Sequence, residues 1–152
     1  MNPCEALIDK SDAFWNLGVA TFSSTDIAES ARLDVVANRL YYGMFLAVCA
    51  YASKFRGLNI EESNPNVHRV ARALVQAIAS THQKFMTLLP AYERLETIRG
   101  EADYKCWHVN STDLTSDAVI KPANKIRMAF ITAAKDCSDQ FQDVEFDLTN
   151  VP

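Results

Sequence analysis

The chain has 152 residues, a formal net charge of −4, and 49% hydrophobic and 22% charged residues. This length is about one domain and is enough to bury a core, and the composition is ordinary for a soluble globular protein. Only four glycines and five prolines occur, too few for a turn-rich β-sandwich, and the negative charge gives no general case for nucleic-acid binding. We predict a single domain over residues 1–152, with a core over about 3–143 and an acidic tail over 144–152.

The N-terminal residues lack the positive cluster and following apolar run of a signal peptide. The longest uncharged apolar stretch, residues 40–53, is shorter than the ~20 residues that span a bilayer, which favours a buried helix. The cysteines show no C-x-x-C spacing, so we interpret them as small buried residues in a reducing compartment. They are Cys4, Cys49, Cys106 and Cys137. We therefore predict a cytoplasmic protein with no membrane association.

Two helices are predicted in the first third of the chain. Residues 3–22 carry apolar side chains at helical spacing, and Pro3 suits a first helical position. A polar break at residues 23–26 precedes a second helix over residues 26–56, which ends at Gly57. Residues 40–52 are apolar almost all the way round, so this half should lie in the middle of a bundle or at a subunit interface.

Three further helices complete the prediction. The third opens at Asn64-Pro65 and has an apolar stripe over residues 67–78, and Pro90 is expected to separate it from a fourth over about 92–104. A polar loop at 110–117 leads to a fifth with Pro122 in its first turns and an apolar side extending to Cys137 and Phe141. Short connections favour antiparallel neighbours. The fold class is therefore all-α, an up-and-down bundle of four to five helices.

Charge is unevenly distributed along the chain. Residues 63–92 contain no acidic residue, while the third helix carries His68, Arg69 and Arg72. After Lys135 the sign reverses, with five acidic residues and no basic one. These stretches are either solvated faces or, for the third helix, a surface that faces phosphate. Arg69 and Arg72 are its candidate phosphate contacts, with His68 beside them.

Several kinds of catalytic site have no counterpart in the sequence. A di-iron bundle needs Glu-x-x-His pairs, but Pro65, Ala79 and Lys105 precede the three histidines by three residues. Neither a G-x-S-x-G nucleophile motif nor a glycine-rich phosphate loop occurs. We predict no metal and no cofactor.

The fourth helix carries the most distinctive candidate residues. Arg99 and Asp103 are four residues apart and should meet on one face, which by itself indicates only a surface ion pair. Gly100 is unusual in a helix interior, where it costs ~1 kcal/mol relative to Ala. A glycine at this position would let a ligand or another backbone approach Arg99.

Two segments of the chain resemble the HEPN family. They are Arg39-Leu40-Tyr41-Tyr42-Gly43-Met44-Phe45-Leu46-Ala47 and Arg99-Gly100-Glu101-Ala102-Asp103-Tyr104. The second matches the pattern Arg-x-x-Ala-Asp-Tyr, and His68 lies where many members have a histidine. The resemblance covers roughly residues 28–140. It implies a HEPN-like helical bundle that forms a homodimer through the faces bearing these motifs.

The resemblance also implies a functional setting. Many HEPN proteins belong to toxin–antitoxin or phage-defence systems, often beside a minimal nucleotidyltransferase. The expected function is binding of RNA, or of a nucleotidyltransferase partner, through a dimer cleft around Arg99. The alternatives are a metal-independent endoribonuclease and a non-enzymatic helical module with an unrelated partner.

Cleavage by the ribonuclease members uses an Arg followed four to six residues later by His. Arg99 matches the arginine, but Tyr104 stands after four intervening residues, and His108 comes too late. Tyr is a poor general base at neutral pH, since its unperturbed pKa is ~10. The candidate catalytic residues that the resemblance implies are Arg99, Asp103 and Tyr104, and Tyr104 is also a candidate for nucleotide transfer by a partner. Arg39 is a further candidate for phosphate contact, and Asp103 is its hypothesised partner.

Overall fold

A computed structural model of the chain describes residues 2–63, 66–104 and 108–151, and within these ranges every regular element is helical. This confirms the all-α prediction. Two predictions concern residues outside these ranges: the helix start at Asn64-Pro65 and the buried thiol of Cys106. The helices are α1 (Pro3–Phe22), α2 (Glu29–Phe55), a short α3 (Ile60–Ser63), α4 (Val67–Thr81), α5 (Gln83–Tyr104) and α6 (Lys121–Asp136).

The ends of α1 and α2 follow from local chemistry. Asn2 and Glu5 form a reciprocal capping box at the start of α1, with Pro3 in the first turn as predicted. The break after Phe22 is also confirmed, but α2 begins at Glu29, three residues later than predicted. Gly57 adopts a φ of +72°, the left-handed conformation that ends a helix at low cost in glycine.

Helix α2 lies at the centre of the bundle and packs against α1, α4, α5 and α6. Its apolar half, residues 40–52, is buried apart from Tyr42, which is half-buried. α2 is long and apolar enough to cross a membrane by length and composition, but 72% of its most apolar window is buried within the fold. Burial inside the bundle accounts for this apolar composition.

Pairs of contacting residues give the helix directions. α2 runs antiparallel to α1, with Gly43 against Trp15 and Leu40 against Gly18. α2 is antiparallel to α5, since Asn38 bonds Asp103 whereas Tyr41 bonds Glu96. α4 is also antiparallel to α5, since the two helices are joined at His82 and Arg72 bonds Glu96 across them, so α2 and α4 point the same way. The up-and-down prediction, in which each helix is antiparallel to the one before it, is therefore wrong for α2 and α4.

The predicted boundary at Pro90 is wrong, since Pro90 lies inside α5 and the helices part at His82 instead. His82 has an extended backbone, and its ring contacts Phe141 and bonds Asp143 at 3.0 Å. These contacts with the C-terminal segment hold the corner. Proline in a helix interior is unfavourable locally, so packing of α5 on both sides of Pro90 outweighs that cost.

The C-terminal region also differs from the prediction. Pro122 lies in the first turn of α6 as expected, but the helix ends at Asp136 and Cys137 is an exposed cap with a φ of +55°. The prediction of a buried Cys137 on an apolar helix face is therefore wrong. Phe141 and Val144 are buried beyond the helix, and Phe146, Leu148 and Val151 pack partly on the core. Packing thus continues past residue 143.

Candidate functional site

An open groove of about 410 Å³ lies between the first half of α4 and the second half of α5. α4 begins at Val67 and directs two of its polar positions, His68 and Arg72, toward α5, while its apolar stripe faces the core. The groove is lined by Asn66, His68, Arg69, Arg72, Glu96, Thr97 and Arg99. The lining thus includes three arginines and one glutamate, which gives the groove a net positive charge.

Tyr41 of α2 forms the floor beneath this groove. Tyr41 is fully buried, and its hydroxyl oxygen lies 2.8 Å from Nδ1 of His68 and 3.3 Å from Oε2 of Glu96. The His68 ring also stacks on Phe45, with centroids 4.2 Å apart. The hydroxyl of one buried tyrosine thus connects a side chain of α4 with one of α5.

Arg99 is held on the same floor by aromatic rings. Its guanidinium carbon lies 4.7 Å from the ring centroid of Tyr41 and 5.8 Å from that of Tyr42, in cation–π geometry. Nη1 of Arg99 lies 3.5 Å from Oδ2 of Asp103, so the predicted contact between these residues is confirmed. Asn38 of α2 also donates to Asp103, at 3.3 Å. The arginine is thereby fixed in direction while it lines the groove.

The two arginines of α4 have different surroundings. Nη1 of Arg72 lies 2.9 Å from Oε1 of Glu96, and this hydrogen bond raises the pKa of Arg72. Arg69 is exposed and makes no ion pair with another described residue. Arg69 is therefore free to contact an anion, whereas Arg72 would share its charge with Glu96.

Burial and charge set the proton affinities in the groove. Burial, followed by the nearby charge of Arg99, lowers the pKa of His68, so this imidazole is neutral at pH 7. Burial and the negative charge of Glu96 raise the pKa of Tyr41 far above its usual value, so its hydroxyl keeps its proton. That proton can be donated to Glu96 when Nδ1–H of His68 donates to the tyrosine oxygen. Nε2 of His68 then has a free lone pair.

The structure brings four of the predicted site residues to this groove and leaves two others away from it. His68, Arg69, Arg72 and Arg99 line it, and Asp103 contacts Arg99 from the side. Tyr104, at the end of α5, is 78% exposed and does not line the groove.

Arg39 lies against α1 and not at the groove. Its guanidinium carbon lies 5.1 Å from the ring centroid of Phe14, and its buried Nε has no hydrogen-bond partner among the residues that the structure describes. The hypothesis that Arg39 pairs with Asp103 is wrong for this structure, since the neighbouring Asn38 takes that position. One residue of α2 is about 100° of helix rotation, which places adjacent side chains against different helices.

Sequence reasoning missed two residues of the site. Glu96 precedes Arg99 by three residues and follows Tyr92 by four, so helical spacing placed it on the inward stripe of α5. The apolar pattern of residues 40–52 predicts a packing role for Tyr41, which is correct for its ring, but its hydroxyl also bonds two groove residues. Among the described residues, no group of three or more His, Cys, Asp or Glu side chains is arranged to hold a metal ion.

Comparison of the chain with protein-family models, with curated proteins and with solved structures gives no significant match.

Proposed function

We propose that this protein binds RNA through its phosphate backbone, at the groove lined by Arg69, Arg72 and Arg99. The observation that carries the proposal is that three arginines from α4 and α5 line one groove with a single glutamate, and that Tyr41 and Tyr42 hold Arg99 in position. Planar guanidinium groups suit phosphate because they can donate two parallel hydrogen bonds. The groove is open, as a chain-like ligand requires.

The proposal includes a HEPN-like identity. The two segments that carry the resemblance contact each other, since the guanidinium group of Arg99 lies over the rings of Tyr41 and Tyr42. On that basis we propose a cytoplasmic homodimer from a toxin–antitoxin or phage-defence type system, with a nucleotidyltransferase as its partner protein. Tyr104 is 78% exposed, which suits a residue modified by such a partner.

RNA binding is tested by fluorescence anisotropy with a labelled single-stranded RNA over a range of KCl concentrations. Arg99→Ala and Arg69→Ala should each weaken binding and lower the slope of log affinity against log salt by about 1, as expected for one lost phosphate contact. Arg94→Ala is the matched control because Arg94 is also on α5 but pairs with Asp113 away from the groove. An equal loss with Arg94→Ala, or no loss with Arg69→Ala and Arg99→Ala, would contradict the proposal.

Metal-independent RNA cleavage is a second candidate function, favoured by the chain of contacts from Glu96 through Tyr41 to His68. His68 would supply the base that the sequence motif lacks. Nε2 would remove the proton of a ribose 2′-hydroxyl, whose oxygen attacks the adjacent phosphorus. The bond from phosphorus to the 5′ oxygen then breaks, and the leaving oxygen takes back a proton from the protonated His68 through water. The products are a 2′,3′-cyclic phosphate and a 5′-hydroxyl. Arg99 would stabilise the charge that develops on the phosphate oxygens.

Induced expression in a bacterial host separates binding from cleavage. Wild type, Arg99→Ala and His68→Gln are compared for growth and for the integrity of cellular RNA. Degraded RNA with wild type and intact RNA with both variants would support cleavage. Intact RNA in all three cultures would exclude a general ribonuclease and leave RNA binding as the function to be tested in vitro.

A further inference from the structure

A second cavity lies at the opposite end of α2 from the groove. It has a volume of about 640 Å³ and is formed where the start of α1 meets the last turns of α2 and α6. Two cysteines line it, Cys4 in the first turn of α1 and Cys137 directly after α6, together with Lys54 from α2. The RNA-binding proposal uses none of these residues.

Cys137 is placed as a reactive thiol. Its side chain is exposed, and Nζ of Lys54 lies 3.0 Å from its sulfur. Lys54 also donates to the carbonyl oxygen of Ala134, so its ammonium group is anchored at the end of α6. The contact with Cys137 raises the pKa of Lys54, which therefore keeps its positive charge beside the sulfur. A cation at this distance stabilises the thiolate, which is the nucleophilic form of cysteine.

Cys4 is less exposed than Cys137. It is half-buried in the same cavity, and burial raises the pKa of its thiol, while Lys54 opposes that effect. Both sulfurs therefore interact with the one ammonium group of Lys54. Cys49 is fully buried in the core of α2, and burial raises the pKa of its thiol strongly, so it should be inert.

We propose that Cys137 is a peroxide-reactive thiol and that Cys4 resolves its oxidised form into an intramolecular disulfide. The Cys137 thiolate attacks one oxygen of hydrogen peroxide, the O–O bond breaks, and the departing hydroxide takes a proton to form water. This leaves a sulfenic acid on Cys137. The Cys4 sulfur then attacks the Cys137 sulfur, the S–O bond breaks, and a second water leaves. In sum, two thiols are oxidised by two electrons and one peroxide is reduced to two waters.

The test is peptide mapping by mass spectrometry, without reduction, after treatment with hydrogen peroxide. All proteins carry Cys106→Ser, because Cys106 lies outside the described residues and would complicate the assignment. The reference protein should yield a Cys4–Cys137 peptide at the mass of a single chain, with Cys49 unmodified. Cys4→Ser should stop at the sulfenic acid on Cys137, which a dimedone-type reagent traps.

Lys54→Met tests the role of the ammonium group, with Lys135→Met as the matched control. Lys135 lines the same cavity and carries the same charge, but its side chain makes no hydrogen bond to Cys137. Lys54→Met should slow oxidation of Cys137 several-fold, since it removes the ammonium group that contacts the attacking sulfur, while Lys135→Met should oxidise at the reference rate.

Circular dichroism before treatment confirms that each variant is folded. The proposal is overturned if folded reference protein shows no Cys4–Cys137 peptide, if Lys54→Met oxidises as fast as the reference protein, or if the same disulfide forms equally well in guanidinium chloride, where the fold no longer brings α1 and α6 together.

Discussion

The guanidinium group of Arg99 lies over the ring of Tyr41, 4.7 Å from its centroid, while the hydroxyl of the same tyrosine lies 2.8 Å from His68. One buried side chain thus positions both an arginine and a histidine at the groove. The ring and the hydroxyl can be separated by mutation, because Phe retains the former and lacks the latter. The consequences of this arrangement can therefore be tested residue by residue.

Tyr41→Phe should leave RNA binding close to wild type, because the ring beneath Arg99 is retained. It should abolish most of any RNA cleavage, since His68 loses the hydroxyl that orients it, and lower the free energy of unfolding by about 1 kcal/mol. Anisotropy, a cleavage assay and urea denaturation measure the three effects. Tyr51→Phe is the control, because it removes a similar buried hydroxyl that bonds Asp139 away from the groove. Equal loss of cleavage in both variants would show a general effect of stability.

His68 should make the protein less stable in acid. Because burial and Arg99 lower its pKa on folding, the unfolded chain binds the proton more readily. The stability due to neutral His68 is present above the unfolded pKa of ~6.5 and is lost as the pH falls below it. Denaturation of wild type and His68→Gln at pH 7.5 and 5.5 should show a smaller drop in the variant. Parallel drops would mean that His68 does not contribute to the pH dependence.

Gly100→Ala should raise the free energy of unfolding by about 0.5–1 kcal/mol, because alanine is the better helix former and, apart from its own helical turn, no described residue lies within 4 Å of the added Cβ. Gly43→Ala should destabilise, since its Cβ would lie 3.0 Å from the backbone nitrogen of Trp15. If Gly100 admits a ligand to Arg99, Gly100→Ala should weaken RNA binding despite the gain in stability. Unchanged binding would show that the glycine is not needed for access.

Arg56→Ala should loosen the C-terminal segment. Arg56 donates to the carbonyl oxygens of Phe141 and Val144, which lie beyond α6. Hydrogen bonds from a charged donor contribute about 1.5–3 kcal/mol, so limited proteolysis should cut the variant between residues 137 and 151 well before wild type. Arg94→Ala removes a surface ion pair with Asp113 and should cost no more than about 1 kcal/mol, with proteolysis unchanged.

Helical spacing predicted much of this fold and part of its site. The buried half of α2, the apolar stripe of α4 and the contact of Arg99 with Asp103 all follow from residues that recur every three to four positions. The corner at His82 could not be predicted, because it depends on contacts with Phe141 and Asp143 some sixty residues away. The same holds for the meeting of Tyr41 and His68, which requires α2 and α4 to run in the same direction. Local pattern carries no information on such pairings.

The close approach of α1 and α2 at Gly43 has a consequence for genetics. The Cβ-free face of Gly43 rests on the backbone of Trp15, and the hydroxyl of Ser11 bonds the Gly43 carbonyl oxygen at 2.7 Å. These two contacts with α1 fix the rotation of α2 about its axis. They thereby also fix the directions of Tyr41 and Tyr42, which directly precede Gly43 on the same helix. A random screen for inactive alleles should therefore recover substitutions at Ser11, Trp15 and Gly43, although none of the three lines the groove.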